Sequence, residues 1–120
     1  MEPIHDQRGE TVGWLKKDIV YDIDGSPVAF IRKKEVINFH GMHLGRFVNG
    51  FFRDEGGQVV TFIKGATGGP ILPIPSITPI PPIPGITPIR PISPIPPIAP
   101  INSLSWSSKS WNAYLEGNNR

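Results

Sequence analysis

The chain has 120 residues, no cysteine and a formal net charge of +2, which leaves room for one domain with a modest core. The lack of cysteine excludes disulfides, thiolate zinc sites and thiol catalysis, and it fits a reducing compartment. Residues 1–69 balance nine Lys/Arg against nine Asp/Glu, so the excess charge forms no patch that would attract nucleic acid.

The N-terminal residues 1–6 contain neither a basic segment nor an apolar segment, so we expect no signal peptide. The longest cationic run, Arg32-Lys33-Lys34, is interpreted as a solvated turn or strand end. The most apolar stretch is rich in proline and cannot cross a bilayer as a helix. The sequence therefore predicts a cytoplasmic protein that contacts neither membrane nor nucleic acid.

A repeat of sixteen residues organises the front of the chain. Asp or Asn and, three positions later, Gly recur at this spacing, in the pairs Asp6/Gly9, Asp22/Gly25, Asn38/Gly41 and Asp54/Gly57. Asp or Asn opens a type I turn, and Gly at the fourth position takes the positive φ that follows it. Apolar residues flank each turn, so each unit is predicted to be strand, turn, strand. Residues 1–69 are thus predicted to hold four β-hairpins, about eight short strands, as an open sheet or a small barrel.

Both faces of the predicted second strands carry apolar residues. One face combines a column of small residues with a column of large ones: Gly13, Ala29, Gly45 and Thr61, then Leu15, Ile31, Phe47 and Ile63. Strict alternation places another set on the opposite face: Val12, Val28, Leu44 and Val60, with Trp14, Phe30 and Phe62. Because a sheet with one wet face would not need this, we expect the sheet to close or to be covered on both sides.

Residues 70–101 form a tract in which isoleucine occupies every third position. The eleven isoleucines are Ile71, Ile74, Ile77, Ile80, Ile83, Ile86, Ile89, Ile92, Ile95, Ile98 and Ile101. Proline precedes each of them except Ile77 and Ile86, which follow Ser76 and Gly85. Three residues is the period of polyproline II, so the sequence predicts a polyproline II segment with one straight apolar side.

We expect this tract to pack on the hairpin domain with its isoleucines buried, because so much exposed apolar surface is rare in soluble monomers. Isoleucines along polyproline II are about 9.3 Å apart, and equivalent strands of neighbouring hairpins about 9.6 Å apart. This match predicts one isoleucine per hairpin, beside the column of small residues. The tract is longer than one crossing requires, so it either reverses at Gly85 or meets another subunit. In the alternative interpretation, Gly85 only allows another backbone to approach closely.

Residues 102–120 form a tail with two Ser-Trp pairs, at Trp106 and Trp111. Trp111, Tyr114 and Leu115 share a helical face, and the serines at 107–110 offer N-caps, so a helix of one to two turns is predicted to dock on the domain. Tryptophans near a chain end serve as packing anchors more often than as ligand platforms.

Residues with catalytic or metal-binding chemistry are few. His40 and His43 bracket a turn, but they have no third ligand at a matching spacing and are predicted to be solvated turn residues. Asp22-Ile23-Asp24-Gly25 resembles the start of a calcium loop whose later ligands are missing, and a turn explains it. We predict no catalytic, cofactor or metal-binding residues and no cofactor. The residues predicted to bind a partner are Arg90, Trp106 and Trp111.

Three features together resemble a family of small uncharacterised bacterial proteins. They are the sixteen-residue hairpins, the Gly65-Ala66-Thr67-Gly68-Gly69-Pro70 junction to the proline-rich tract, and the closing Ser-Trp motif. The resemblance covers nearly the whole chain. It implies a bacterial source and no assigned activity, so it transfers no functional residues.

The sequence therefore predicts a non-catalytic structural or protein-interaction module that self-associates through the Ile-Pro tract as a homo-oligomer. The alternative is a proline-rich ligand for an SH3-like partner, since Pro79/Pro82 and Pro94/Pro97 have the required spacing and Arg90 supplies a cation. A hydrolase or metal enzyme using His40 or His43 is the least favoured of the three hypotheses.

Overall fold

The computed structural model describes residues 1–117 and shows an all-β barrel closed by its first and last strands. Neighbouring strands are antiparallel and follow each other in chain order. The strands are β1 Glu2–His5, β2 Thr11–Lys16, β3 Ile19–Asp22, β4 Pro27–Arg32, β5 Glu35–Asn38, β6 His43–Val48, β7 Phe51–Arg53 and β8 Val59–Phe62; one helix, α1 Trp111–Glu116, follows. The four predicted hairpins are confirmed, and a barrel rather than an open sheet is the result.

The four hairpin turns have the geometry that the sixteen-residue repeat predicts. In each turn the glycine donates its N–H to the carbonyl oxygen of the Asp or Asn three residues earlier, at 2.9–3.1 Å. The glycines have φ angles of 82° to 92°, a conformation that costs other residues energy. The side-chain Oδ1 of Asp6, Asp22, Asn38 or Asp54 accepts two further backbone N–H groups of its turn. These turns all lie at one end of the barrel.

At the other end, the strands of successive hairpins are joined by short turns. Lys33 and Lys34 form the connection between β4 and β5, with φ angles of 49° and 71°. Both lysines are exposed. The cationic run is therefore a solvated turn, as predicted.

A β-bulge in each hairpin changes which residues face the core. The pairing register shifts between Ile4 and His5 in the first hairpin, and at the equivalent place in the other three. Because a bulge turns two successive residues toward the same side, Val12 packs in the same core as Leu15. The prediction that the valine column faces away from the leucine column is wrong. Only the aromatic column lies in separate clusters, with Trp14 and Phe30 in one and Phe62 in another.

Helix α1 inserts two aromatic side chains into the core of the barrel. Trp111 and Tyr114 are buried in the main core cluster, and the Tyr114 hydroxyl donates to the Arg53 carbonyl oxygen at 3.0 Å. The side chain of Ser110 caps the helix by accepting the Ala113 N–H, and Gly117 ends it with a φ of 77°. The short C-terminal helix is confirmed. Within residues 1–117, no helix has the length and apolar character needed to cross a bilayer.

Two glycines of the small-residue column lie against a neighbouring strand and the aromatic residues of this helix, not against the isoleucines. A Cβ on Gly13 would first meet the Tyr21 carbonyl oxygen at 2.6 Å and then the Trp111 Nε1 at 3.3 Å. A Cβ on Gly45 would first meet the Arg53 carbonyl oxygen and then the Tyr114 hydroxyl at 3.0 Å. The prediction of one isoleucine beside each small residue is therefore wrong. The tract instead runs past the hairpin turns.

Candidate interaction surface

The most prominent surface feature is the row of eleven tract isoleucines, called here the isoleucine collar. Each is 91–98% exposed, whereas the predicted location was the core. The prediction of burial is wrong because the tract turns its backbone and several prolines toward the barrel instead. The half-buried prolines are Pro70, Pro73, Pro82, Pro84, Pro91, Pro94 and Pro100.

The tract meets the turn glycines in chain order, and successive contacts are about nine residues apart. The Ile74 carbonyl oxygen lies against Gly9, that of Ile83 against Gly25, and that of Ile101 against Gly57. A Cβ on Gly9 would stand 2.5 Å from the Ile74 oxygen, so only glycine fits there. One hairpin therefore corresponds to nine tract residues with three isoleucines, whereas one isoleucine per hairpin was predicted.

Backbone hydrogen bonds fix three of these contacts. Ser76 donates its N–H to the Gly9 carbonyl oxygen at 2.9 Å, Gly85 to that of Gly25 at 2.8 Å, and Ser103 to that of Gly57 at 3.1 Å. Proline has no N–H and could not make these bonds. Ser76 and Gly85 interrupt the proline register, and they are the tract residues that donate hydrogen bonds to the turn glycines.

The third hairpin is the exception. The tract position equivalent to Ser76 and Gly85 is Pro94, which cannot donate. The tract also keeps more distance here: a Cβ on Gly41 would be 3.6 Å from the nearest tract atom, on Pro91. The collar is thus held more loosely at the third hairpin than at the first, second and fourth.

A nine-residue spacing in the tract, in addition to its three-residue period, indicates this arrangement in the sequence. Ser76 and Gly85 are nine residues apart, and so are Thr78 and Thr87. A nine-residue unit repeated beside a sixteen-residue unit indicates one tract unit per hairpin. Gly85 does not reverse the tract; as in the alternative interpretation, it allows close approach, since a Cβ would lie 3.3 Å from the Gly25 oxygen.

Arg90, the charged residue of the tract, is engaged inside the molecule. Its guanidinium group donates to the Asp18 carboxylate at 2.9 Å and lies 5.0 Å from the centroid of the Phe30 ring. The ion pair is about half-exposed, so it contributes about 1 kcal/mol or less to stability. The contacts of Arg90 instead fix the position of the tract, because they attach its middle to the β2–β3 connection and to β4.

The other two predicted partner-binding residues lie apart from Arg90. Trp106 is half-buried, bridges to Val59 and packs edge-on against Phe62, with ring centroids 6.1 Å apart. Trp111 is only 7% exposed, because its ring packs inside the barrel. Trp111 is thus placed as a core anchor, and the three residues do not form a common surface.

Arg53 anchors the end of the collar, and sequence reasoning did not identify it. The side chain is buried and donates to the carbonyl oxygens of Gly57, Ser103 and Gly68 at 2.7, 2.6 and 3.1 Å. Burial lowers the pKa of Arg53 below its ordinary value. One guanidinium group therefore joins the fourth turn to the chain that enters the tract and to the chain that leaves it.

The histidines provide no catalytic arrangement, and one of them contradicts its prediction. His40 is exposed, as predicted, but the His43 side chain is only 9% exposed. The ring nitrogens of His43 lie 2.8 Å from carboxylate oxygens of Glu35 and Glu55. Arg46 also donates to Glu35, at 3.1 Å. This polar cluster takes the place of apolar residues at the equivalent positions of the second and fourth hairpins: Ile19, Pro27, Phe30, Phe51, Val59 and Phe62.

Cavities and metal ligands offer no stronger candidate for a site. Among residues 1–117, no cluster of three His, Cys, Asp or Glu side chains could hold a metal ion. A groove of about 650 Å³ runs beside α1, next to Asp6, Lys109 and Trp111. It contains no histidine, and its Ser107 hydroxyl donates to the buried Asp54 carboxylate at 2.6 Å, a bond that ties the tail to the fourth turn. The isoleucine collar is therefore the candidate functional surface.

The fold defines a class of protein: a small barrel of four equivalent β-hairpins whose core is completed by two aromatic side chains of the C-terminal helix. The chain belongs to the family of 4-fold beta flower proteins, whose family model matches residues 2–115. Comparisons with curated proteins and with solved structures give no significant match. The expectation of a family built on a β-repeat is thus confirmed.

Proposed function

We propose that this protein is a non-catalytic interaction module that binds a second copy of itself through the isoleucine collar. The observation that carries the proposal is the exposure of all eleven isoleucines, each above 90%. At about 100 Å² of apolar surface per side chain, the collar presents on the order of 1,000 Å². Soluble monomers rarely keep a continuous apolar patch of more than about 600 Å².

The chemistry of the tract suits association. We propose that it is a polyproline II helix, whose proline-fixed φ angles reduce the entropy lost when the surface is covered. Isoleucines about 9.3 Å apart would then form a rigid row. A second copy offers the same row with the same spacing, so straight stretches of two rows can interdigitate.

A second copy fits this surface better than a charged partner does. The collar itself carries no charge, and Arg90, within the tract, is paired with Asp18. The same pairing weighs against the alternative of a proline-rich ligand for an SH3-like domain, which would need that cation. Several prolines also face the barrel instead of solvent. We propose a cytoplasmic homo-oligomer that uses neither nucleic acid nor membrane as a partner.

Sedimentation velocity over a range of protein concentrations tests the proposal. The wild-type protein is expected to sediment as an oligomer, and the Ile80→Asn/Ile89→Asn/Ile98→Asn variant as a monomer. The matched control is Thr78→Asn/Thr87→Asn/Ala99→Asn, which changes exposed tract positions outside the isoleucine register and should associate like wild type.

Circular dichroism should show that all three proteins are folded, because the substituted side chains are exposed. A wild-type protein that stays monomeric would contradict the proposal. So would a monomer that binds neutral phosphatidylcholine vesicles or an SH3 domain through the collar, because the occupant would then be of another kind.

A further inference from the structure

We infer that the collar directs open, edge-to-edge assembly in which one copy binds up to three neighbours, rather than a closed dimer. This inference rests on the proposed self-association and specifies its geometry. It follows from how the tract is distributed around the four hairpins.

The collar faces several directions because the tract follows the barrel around its rim. Consecutive hairpins of a closed barrel of four are related by about a quarter turn, and the tract touches their turns in order. The contacts divide the collar into three edges, residues 74–83, 83–92 and 92–101. Each edge holds two isoleucines between its corners: Ile77 and Ile80, Ile86 and Ile89, and Ile95 and Ile98.

The dimensions agree with this layout. Nine residues of polyproline II extend about 28 Å, and the molecule measures 36 × 35 × 24 Å along its principal axes. Three such edges therefore enclose most of the perimeter of a flattened body. The fourth side holds the chain entering the tract, where Ala66 and Leu72 pack against the Phe51 cluster.

The area of one edge decides between a closed and an open assembly. With its corner residues, an edge offers about three to four isoleucines, or about 300–400 Å². A stable specific interface needs about 800 Å² from each partner, so contact through one edge is weak, and a copy is held firmly only when two or three of its edges are covered. A two-fold axis through one edge also leaves the other two edges exposed, since they face other directions. Covering the collar therefore requires several neighbours.

Edge-selective variants test this inference by sedimentation velocity and electron microscopy of the full chain. Each edge is made polar by two substitutions: Ile77→Asn/Ile80→Asn, Ile86→Asn/Ile89→Asn, or Ile95→Asn/Ile98→Asn. Wild type is expected to form species larger than a dimer whose size increases with concentration. Variants with two polar edges should form at most a weak dimer, populated only at high protein concentration, and the variant with three polar edges should be monomeric.

The outcomes separate this inference from the proposed function. A wild type that stops at a dimer, with a monomeric three-edge variant, would leave self-association intact and overturn the open assembly. Two-edge variants that still grow beyond dimers would also overturn it. A wild type that is monomeric at every concentration would overturn both.

Discussion

Gly85 donates its backbone N–H to the carbonyl oxygen of Gly25 at 2.8 Å, and this bond fixes the tract on the turn of the second hairpin. Ser76 makes the same bond to Gly9, nine residues earlier in the tract. The two residues that break the proline register are thus explained by one requirement, a free N–H over a hairpin turn.

Replacing Ser76 by proline should weaken this attachment. Ser76→Pro removes the hydrogen bond to the Gly9 carbonyl oxygen, which lowers the free energy of unfolding by about 0.5–1.5 kcal/mol. Proline offsets part of this loss because it reduces the conformational entropy of the unfolded chain. We expect faster hydrogen exchange at the first turn. Thr78→Pro is the control, since its N–H makes no hydrogen bond within residues 1–117. Equal exchange in the two variants would contradict the role of Ser76.

Asn38 should not be replaceable by Asp, although Asp stands at the three equivalent turns. Its Oδ1 accepts two turn N–H groups, while its Nδ2 donates to the Leu115 carbonyl oxygen of α1 at 3.1 Å. Asn38→Asp keeps the acceptor but places a second acceptor against that carbonyl. The free energy of unfolding should fall by about 1–3 kcal/mol in urea denaturation.

The matched control for this substitution is Asp22→Asn. It makes the reverse exchange at a turn whose Oδ1 accepts the same two N–H groups. Either side chain supports this turn, so its effect should stay within about 0.5 kcal/mol. Comparable losses in the two variants would show that the turn, and not the bond to α1, determines the residue at 38.

Arg53→Lys should be strongly destabilising despite keeping the positive charge. Three carbonyl oxygens from separate segments converge on the guanidinium group, and a single ammonium group cannot match that spread. Loss of one or two charge-assisted bonds in a buried site should lower the free energy of unfolding by about 3 kcal/mol. Arg32→Lys, at an exposed position, should change it little. Near-wild-type stability of Arg53→Lys would refute this anchoring role.

His5 should make the fold sensitive to acid. The residue is 3% exposed, and burial lowers its pKa, partly offset by a backbone hydrogen bond at Gly9 and by the nearby Asp6. Below about pH 6.5 the unfolded chain binds a proton that the folded chain does not, so stability falls as pH decreases.

His5→Ile, which copies Ile37 at the equivalent place, should reduce the stability loss measured by urea denaturation between pH 7 and pH 5. His40→Asn, at an exposed turn, is the control and should leave that loss unchanged. An unchanged loss in His5→Ile would show that other groups cause the acid sensitivity.

The hairpins and the helix could be predicted because they depend on local chemistry. Asp or Asn at the first turn position, Gly at the fourth and a serine before Trp111 each specify geometry within a few residues. The alternation of apolar and polar residues does not reveal the bulges. A bulge inserts one extra residue into a strand, and every side chain beyond it then points to the opposite face of the sheet from the one that strict alternation predicts. The valine column was placed wrongly for this reason.

The exposure of the tract isoleucines could not be predicted from local chemistry, because apolar residues in proteins are usually buried. Only the non-local backbone contacts at Gly9, Gly25 and Gly57 determine that the tract presents its isoleucines outward. The same limitation applies to Arg53 and His43. Arg53 binds Ser103 and His43 binds Glu55, and because these partners are distant in sequence no local pattern predicts the contacts.

Site-specific photo-crosslinking of the purified protein tests the central claim most directly. A benzophenone amino acid in place of Ile80, 92% exposed in the collar, should link two copies of the chain. The same group in place of Ile23, 41% exposed but outside the tract, should not. Dimer bands at position 80 and not at 23 are the predicted result. Absence of a link at 80, or equal links at both positions, would contradict the claim that the collar binds a second copy.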